Sequence, residues 1–235
     1  MKTLVLIPAF NEAHGIGEVI AAIRRTVPHD VVVVNDGSSD ETAFAAATAG
    51  AQVISHPFNM GYGVAIQTGY KYALANDYDA LVQIDADGQH DPACIPDLLA
   101  PVLSGETDFC LGSRFLADAT YRPERIRGLG MKLFRCLVSL KTGCRITDST
   151  SGYQAFNRDV IEFFTHDAFP NDYPDADVLI TLHLAGFRVL EVSVRMYANA
   201  AGTSMHSGLS PLYYILKMLL SISVTLLHGR QIIRR

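Results

Sequence analysis

Two carboxylates spaced two residues apart, Asp85 and Asp87, stand where an apolar run ends, in Leu81-Val-Gln-Ile-Asp-Ala-Asp-Gly-Gln-His90. Carried to the C-terminal end of a strand, such a pair presents hard oxygen ligands at the edge of an α/β sheet, where ligands bind. Mg2+ or Mn2+ held by one or two carboxylates fills its remaining positions with water and phosphate oxygens, so the pair predicts a nucleoside diphosphate partner. Asp-x-Asp is short and recurs by chance, and a strand followed by an Asp-Gly turn with solvated acids is its ordinary reading. The surrounding pattern decides between the two.

The chain opens with an apolar run, Thr3 to Pro8, then Ala9-Phe-Asn-Glu12, then Ile16, Val19, Ile20 and Ile23 at helical spacing. That predicts strand, loop and helix. Val31 to Val34 forms a second strand running into Asn35-Asp-Gly-Ser-Ser-Asp40, where Ser39 or Asp40 can cap a helix through Ala49. Ala51 to Ile54 is a third strand, and Asn59-Met-Gly-Tyr-Gly63 leads into a helix from Val64 to Ala75 before the Leu81 strand. Strands alternating with helices predict a mostly parallel, doubly wound sheet covered on both faces. In such a sheet Ala9 to Glu12, Asp36 to Asp40, Gly61 to Gly63 and Asp85 to Gln89 converge on one edge. There a carboxylate such as Asp36 suits a base N–H or a ribose hydroxyl, although a plain turn and cap explains it equally well taken singly.

With these motifs in order, the chain resembles family 2 glycosyltransferases of the GT-A nucleotide-sugar fold, and among them dolichyl- and polyprenyl-phosphate sugar synthases. Further matches are Gly112-Ser-Arg-Phe115, Ser151-Gly-Tyr-Gln-Ala-Phe156 and Ala185-Gly-Phe-Arg-Val189, and the likeness spans about residues 3 to 208. The resemblance implies that Pro8, Ala9, Asn11, Glu12 and Asp36 line the nucleotide pocket. It further implies that Asp85, Asp87 and Gln89 form the metal and diphosphate site, and that Arg114 lies near the acceptor phosphate. One departure stands in the loop Tyr197-Ala-Asn-Ala-Ala-Gly-Thr-Ser-Met205. The mannose synthases carry an arginine three residues before a glycine there, reaching the donor diphosphate; this chain has Asn199, a hydrogen-bond donor without charge, which leaves Arg195 or His206 as substitute cations.

The resemblance implies an inverting transfer of a hexose from a nucleotide-sugar to a polyprenyl phosphate. That acceptor arrives ionised, so the protein must align it and offset charge on the leaving diphosphate, with Asp87 and Gln89 serving the leaving group and Arg114, Arg127 or Lys132 orienting the acceptor. The alternative is a saccharide hydroxyl acceptor in cell-surface polysaccharide synthesis, which needs a base. Asp148, Asp175 and Asp177 are the candidates, and each also reads as an ordinary helix-start acid. A non-catalytic nucleotide-sugar-binding module is a third reading, which the intact Asp85 and Asp87 oppose.

At 235 residues with 49% hydrophobic content, the chain suits one glycosyltransferase domain, 1–208, followed by an apolar and basic helix, 209–235. A net charge of -5 excludes the dominant basic surface that nucleic acid requires. The four cysteines show no Cys-x-x-Cys pair and read as free thiols in a reducing compartment. Residues 1 to 8 lead directly into the first strand, so no signal peptide is expected, and no Gly-rich phosphate loop with a lysine follows that strand. Between Arg114 and Arg145, Arg122, Arg125, Arg127, Lys132, Arg135 and Lys141 interleave with apolar residues, predicting a basic amphipathic helix suited to an anionic bilayer. The segment Ser210 to Leu227 is strongly apolar but broken by Lys217, so the order of expectation is a helix lying on a membrane or small membrane protein, then a homo-oligomer contact, then a span. Location is expected to be cytoplasmic, peripheral on the inner membrane face.

Overall fold

The computed structural model describes residues 1–116, 125–143, 145–166, 169–170, 174–197 and 210–232; the side chains of 125–133, 210–215 and 228–232 lie outside the description. Seven strands form one sheet: β1 (Thr3–Ala9), β2 (Asp30–Asn35), β3 (Gln52–Ser55), β4 (Ala80–Gln83), β5 (Phe109–Ser113), β6 (Gln154–Asn157) and β7 (Val189–Ser193). Their spatial order is β3-β2-β1-β4-β6-β5-β7. β1, β2, β3 and β4 run parallel, as the alternation of strand and helix predicts, with Ile7 opposite Val33 and Val5 opposite Val82. β6 is antiparallel to both β4 and β5, and β7 is parallel to β5. The chain therefore winds one way from β1 to β3 and returns across β1 to lay down β4. The reversal places the carboxyl ends of β1 and β4 side by side, the position where open α/β sheets bind ligands.

β1 is buried along its whole length and alternates between the two faces. Leu4 and Leu6 join one core with Phe109 and Phe156, while Val5, Ile7 and Ala9 join the other with Val82 and Ala155. A strand covered on both sides reads as a continuous apolar run, and that is its sequence. Helix α1 (Ile16–Thr26) buries Ile16, Val19, Ile20 and Ile23 on the second face, the stripe set by their spacing. Each such side chain contributes about 1.5–3 kcal/mol on leaving water. On the same face lie α2 (Thr42–Thr48) and α4 (Ile95–Leu103), while the first face carries α3 (Tyr62–Ala75), α6 (Arg158–Phe164) and α7 (Ala176–Leu184). Helix α2 starts one residue later than a cap at Asp40 implies; the Asp40 carboxylate still accepts from the Thr42 amide, from just outside the helix.

Helix α5 (Arg125–Thr142) turns Phe134, Val138 and Thr142 inward and leaves Leu140 and Arg135 exposed. Helix α8 (Ser210–Ile232) docks on α7 through buried Met218 and Ile222. Its other side presents Leu216, Leu220, Val224 and Leu227 to solvent at helical spacing. Among the described residues no helix is long and apolar enough to cross a membrane. Cys94, Cys110 and Cys136 are free thiols.

Candidate functional site

The sheet edge expected from the motifs is where their residues meet, and β6 adds to it from the opposite direction. Because β6 is antiparallel, its entry segment Ser151 to Tyr153 reaches the same edge at which β1 and β4 leave it, with Gln154 opposite Gln83. Asp85 and Asp87 follow β4. The Asp87 carboxylate accepts from the Gln89 amide at 3.0 Å, folding the loop back on itself, while Gly88 takes the left-handed φ of 73° this turn requires.

Asp85 is held on one oxygen. Its Oδ1 accepts the Tyr62 hydroxyl at 3.1 Å, and its backbone N–H donates to Nδ1 of His90 at 3.2 Å. His90 is buried and stacks on Tyr153. Burial drives its pKa down to about 4, with the Arg114 charge acting the same way against the pull of Asp87 and Asp148, so the ring is neutral. With Nδ1 taking the Asp85 amide proton, the 3.6 Å approach of that nitrogen to Asp85 Oδ2 supplies no proton to the carboxylate. Gly152 closes the other side: a Cβ there would lie 3.1 Å from both Asp85 Oδ2 and the Tyr62 hydroxyl.

Glu12 completes an acidic cluster. Desolvation raises its pKa first, and Asp87, Asp40 and Asp85 raise it further. Asp87 is raised by burial and then by Asp85, and Asp85 by burial against the Tyr62 hydrogen bond and the Arg114 charge. Three neighbouring carboxylates, each raised first by burial and two of them further by the acids beside them, suit a divalent cation, and a pair of them suits one whose other ligands are water and phosphate. Among the described residues no group of three His, Cys, Asp or Glu is arranged to cage a metal by itself. The donor set therefore fits a cation that arrives with diphosphate oxygens.

The predicted nucleotide-pocket residues surround this cluster in two distinct ways. Pro8 and Ala9 end β1 beside Val34 and Asn35 of β2. Asn11 adopts a left-handed φ of 56°, its side chain accepting from the Ser39 amide and its backbone donating to Ser38 Oγ, which ties the first two loops together. Asp36 is buried, and its oxygens accept from the amides of Met60 and Gly61 at 2.9 Å each and contact His56 Nδ1 at 2.7 Å. Its carboxylate thus shapes the loop that starts α3. Gly37 permits the close passage, since a Cβ would fall 2.3 Å from the Phe58 carbonyl carbon at a φ of +67°.

Arg114 sits in the site, buried against Asp148. Its Nε and Nη2 make a fork onto Asp148 at 2.6 and 2.8 Å, and Nη2 also reaches Thr150. Asp148 also receives the Arg114 amide, while Glu191 accepts from the amides of Thr147 and Asp148. Asp177 lies elsewhere: buried in the first turn of α7, it accepts from the Val178 amide and from Ser221 Oγ of α8. Two candidate bases are thereby committed to structure. Arg127 and Lys132 fall among side chains outside the description, and Asn199 outside the described residues. The loop that carries Asn199 nevertheless starts at the site, because the Tyr197 amide donates to the Gln89 carbonyl at 2.7 Å and its hydroxyl donates to Asp91. Of the two substitute cations, Arg195 lies 3.4 Å from Asp91, and His206 is outside the described residues.

Sequence reasoning did not single out Tyr62, Gln83 or Tyr70. A signal was present: Gln83 interrupts an apolar strand, and a buried amide there must find partners.

Residues 4–164 match the profile of Glycosyl transferase family 2. An undecaprenyl-phosphate mannosyltransferase of Micrococcus luteus is 32% identical over 222 residues, covering 88% of each chain. A polyprenol monophosphomannose synthase of Mycolicibacterium smegmatis is 31% identical over 217 residues, 88% of this chain and 82% of that one. Among solved structures, glucosyl-3-phosphoglycerate synthase from Mycobacterium tuberculosis in complex with Mn2+, uridine-diphosphate-glucose and phosphoglyceric acid superposes with a TM-score of 0.69 at 25% identity, over 97% of this chain and 79% of that one.

Proposed function

The chain belongs to glycosyl transferase family 2, and we propose that it is an inverting hexosyltransferase that moves a sugar from a nucleoside diphosphate to a polyprenyl phosphate. The observation that carries the reading is the acidic cluster of Asp85, Asp87 and Glu12 at the reversal point of the sheet. Relatives bearing polyprenyl-phosphate mannosyltransferase names along nearly their whole length support the acceptor class.

Asp85, Asp87 and Gln89 would hold Mg2+ or Mn2+ with the donor diphosphate, a choice supported by the Mn2+ and uridine-diphosphate-glucose of a protein of the same fold. When bound, the cation offsets the charge that develops on the departing nucleoside diphosphate. Pro8, Ala9, Asn11 and Glu12 border the nucleotide, and Asp36 keeps their facing loop in place. A phosphate acceptor needs no base, and the engagement of Asp148 by Arg114 and of Asp177 by Ser221 agrees with that. With Arg114 so placed, Arg127 and Lys132 are the cations assigned to orient the acceptor, and Asn199 the neutral contact to the donor. The exposed stripe of Leu216, Leu220, Val224 and Leu227 supports placement of α8 on a membrane surface, where a polyprenyl phosphate resides.

The test is a panel of labelled nucleotide-sugars incubated with the protein, membranes and Mn2+, followed by lipid extraction. Label in a lipid-linked product is the expected result. Label confined to water-soluble glycan refutes the acceptor, and the absence of any cation-dependent donor turnover refutes the enzyme.

A further inference from the structure

A one-way chain of hydrogen bonds ends on Asp85. Tyr70, buried under Phe156, Phe164 and Phe169, donates its hydroxyl to Gln83 Oε1 at 2.6 Å. Gln83 Nε2 faces the Gly152 carbonyl at 3.2 Å and the Tyr62 hydroxyl at 2.9 Å. A carbonyl only accepts, so the amide nitrogen must point toward Gly152 and the oxygen toward Tyr70. The Tyr62 hydroxyl oxygen then receives a proton from Gln83, which leaves its own proton a single destination, Asp85 Oδ1 at 3.1 Å.

The start of the chain is anchored as firmly as its end. Tyr62 is the first residue of α3, and Asp36 fixes the preceding amides of Met60 and Gly61. Tyr70 is two turns further along the same helix, so α3 presents both hydroxyls to the Gln83 side chain of β4. With Oδ1 occupied and His90 Nδ1 filled by the Asp85 amide, Oδ2 is the carboxylate oxygen without a proton donor among the described contacts.

We infer that Tyr62 is a positioning residue for the site: oriented by Gln83 and Tyr70, it holds the Asp85 carboxylate so that Oδ2 faces an incoming divalent cation. This rests on the reading of Asp85 as a cation ligand. Outer partners of ligand groups typically govern metal affinity by tenfold to a hundredfold.

The experiment titrates Mn2+ by electron paramagnetic resonance in the presence of saturating UDP or GDP, for wild type, Asp85→Asn, Tyr62→Phe and the double variant. Tyr62→Phe is expected to weaken Mn2+ binding by roughly tenfold or more, and to raise the half-saturating Mn2+ concentration for turnover more than it lowers kcat. In the Asp85→Asn background, the Tyr62→Phe change adds little, because the hydroxyl acts through that carboxylate. Gln83→Met keeps the Tyr62 hydroxyl but removes the donor that directs its proton to Asp85, and it is expected to weaken binding in the same direction; it decides the matter if Tyr62→Phe does not fold by circular dichroism. Mn2+ binding by Asp85→Asn equal to wild type overturns the reading of Asp85 as a ligand. Binding lost in Asp85→Asn but unchanged in Tyr62→Phe overturns the positioning role alone.

Discussion

Replacing Arg114 separates a structural cation from one that touches the acceptor. In the structure its side chain is 5% exposed and that of Asp148 is not exposed at all, and the two share a forked contact at 2.6 and 2.8 Å. Arg114→Ala would leave the Asp148 carboxylate buried with only the Arg114 amide and the Thr150 hydroxyl for company. Breaking such a pair from one side costs about 3–5 kcal/mol, because the remaining charge is desolvated without compensation. In a protein of this size each kcal/mol moves the melting midpoint by about 2–4 °C, so a fall of roughly 6–20 °C is expected. Arg114→Lys keeps the charge but loses the fork and should fall between the two. The paired change Arg114→Met with Asp148→Leu should recover most of the stability, since an apolar pair of similar volume replaces the ion pair at little net cost. Scanning calorimetry beside a lipid-product assay reads both quantities. A melting point within about 2 °C of wild type for Arg114→Ala, with transfer abolished, would refute the structural assignment and return Arg114 to the acceptor phosphate.

Other expectations follow from the same contacts. Asp87→Asn relieves repulsion among Glu12, Asp85 and Asp87 at neutral pH, so the metal-free protein should melt at the same temperature or higher while Mn2+-dependent turnover falls about a hundredfold; a clear loss of stability would mean that Asp87 serves the fold. His90 has a folded pKa of about 4, below the ordinary value of about 6.5. Its contribution is therefore complete above the unfolded pKa and lost as pH falls from there toward the folded value, by up to about 3 kcal/mol. His90→Gln should flatten the decline in melting temperature between pH 7 and 5, and an unchanged slope counts against the neutral buried ring. Gly152→Ala inserts a methyl 3.1 Å from Asp85 Oδ2 and the Tyr62 hydroxyl. It should cost about 1–3 kcal/mol and displace the carboxylate; retention of full Mn2+ affinity would show that the pocket yields at this point.

The parallel half of the sheet, the first three helices and the acidic pair were legible in the chain because their signals are local. Apolar alternation, helical spacing and Asp or Gly at strand ends act over a few residues, and strands that end alike in a parallel sheet must share an edge. Tertiary structure alone decided what each polar side chain does at that edge. Asp36 and Asp177 look alike in sequence to Asp85, yet the first holds two amides of the α3 loop, the second holds α8, and the third accepts the Tyr62 hydroxyl at the sheet edge. Arg114, expected near the acceptor phosphate, also forms a buried pair with Asp148, thirty-four residues away, which no local pattern announces. The antiparallel β6, whose entry brings Gly152 against Asp85 and its carbonyl to Gln83, carries no local mark of its direction. Hydrogen-bond partners are chosen by distance and burial in the folded chain, and a sequence states neither.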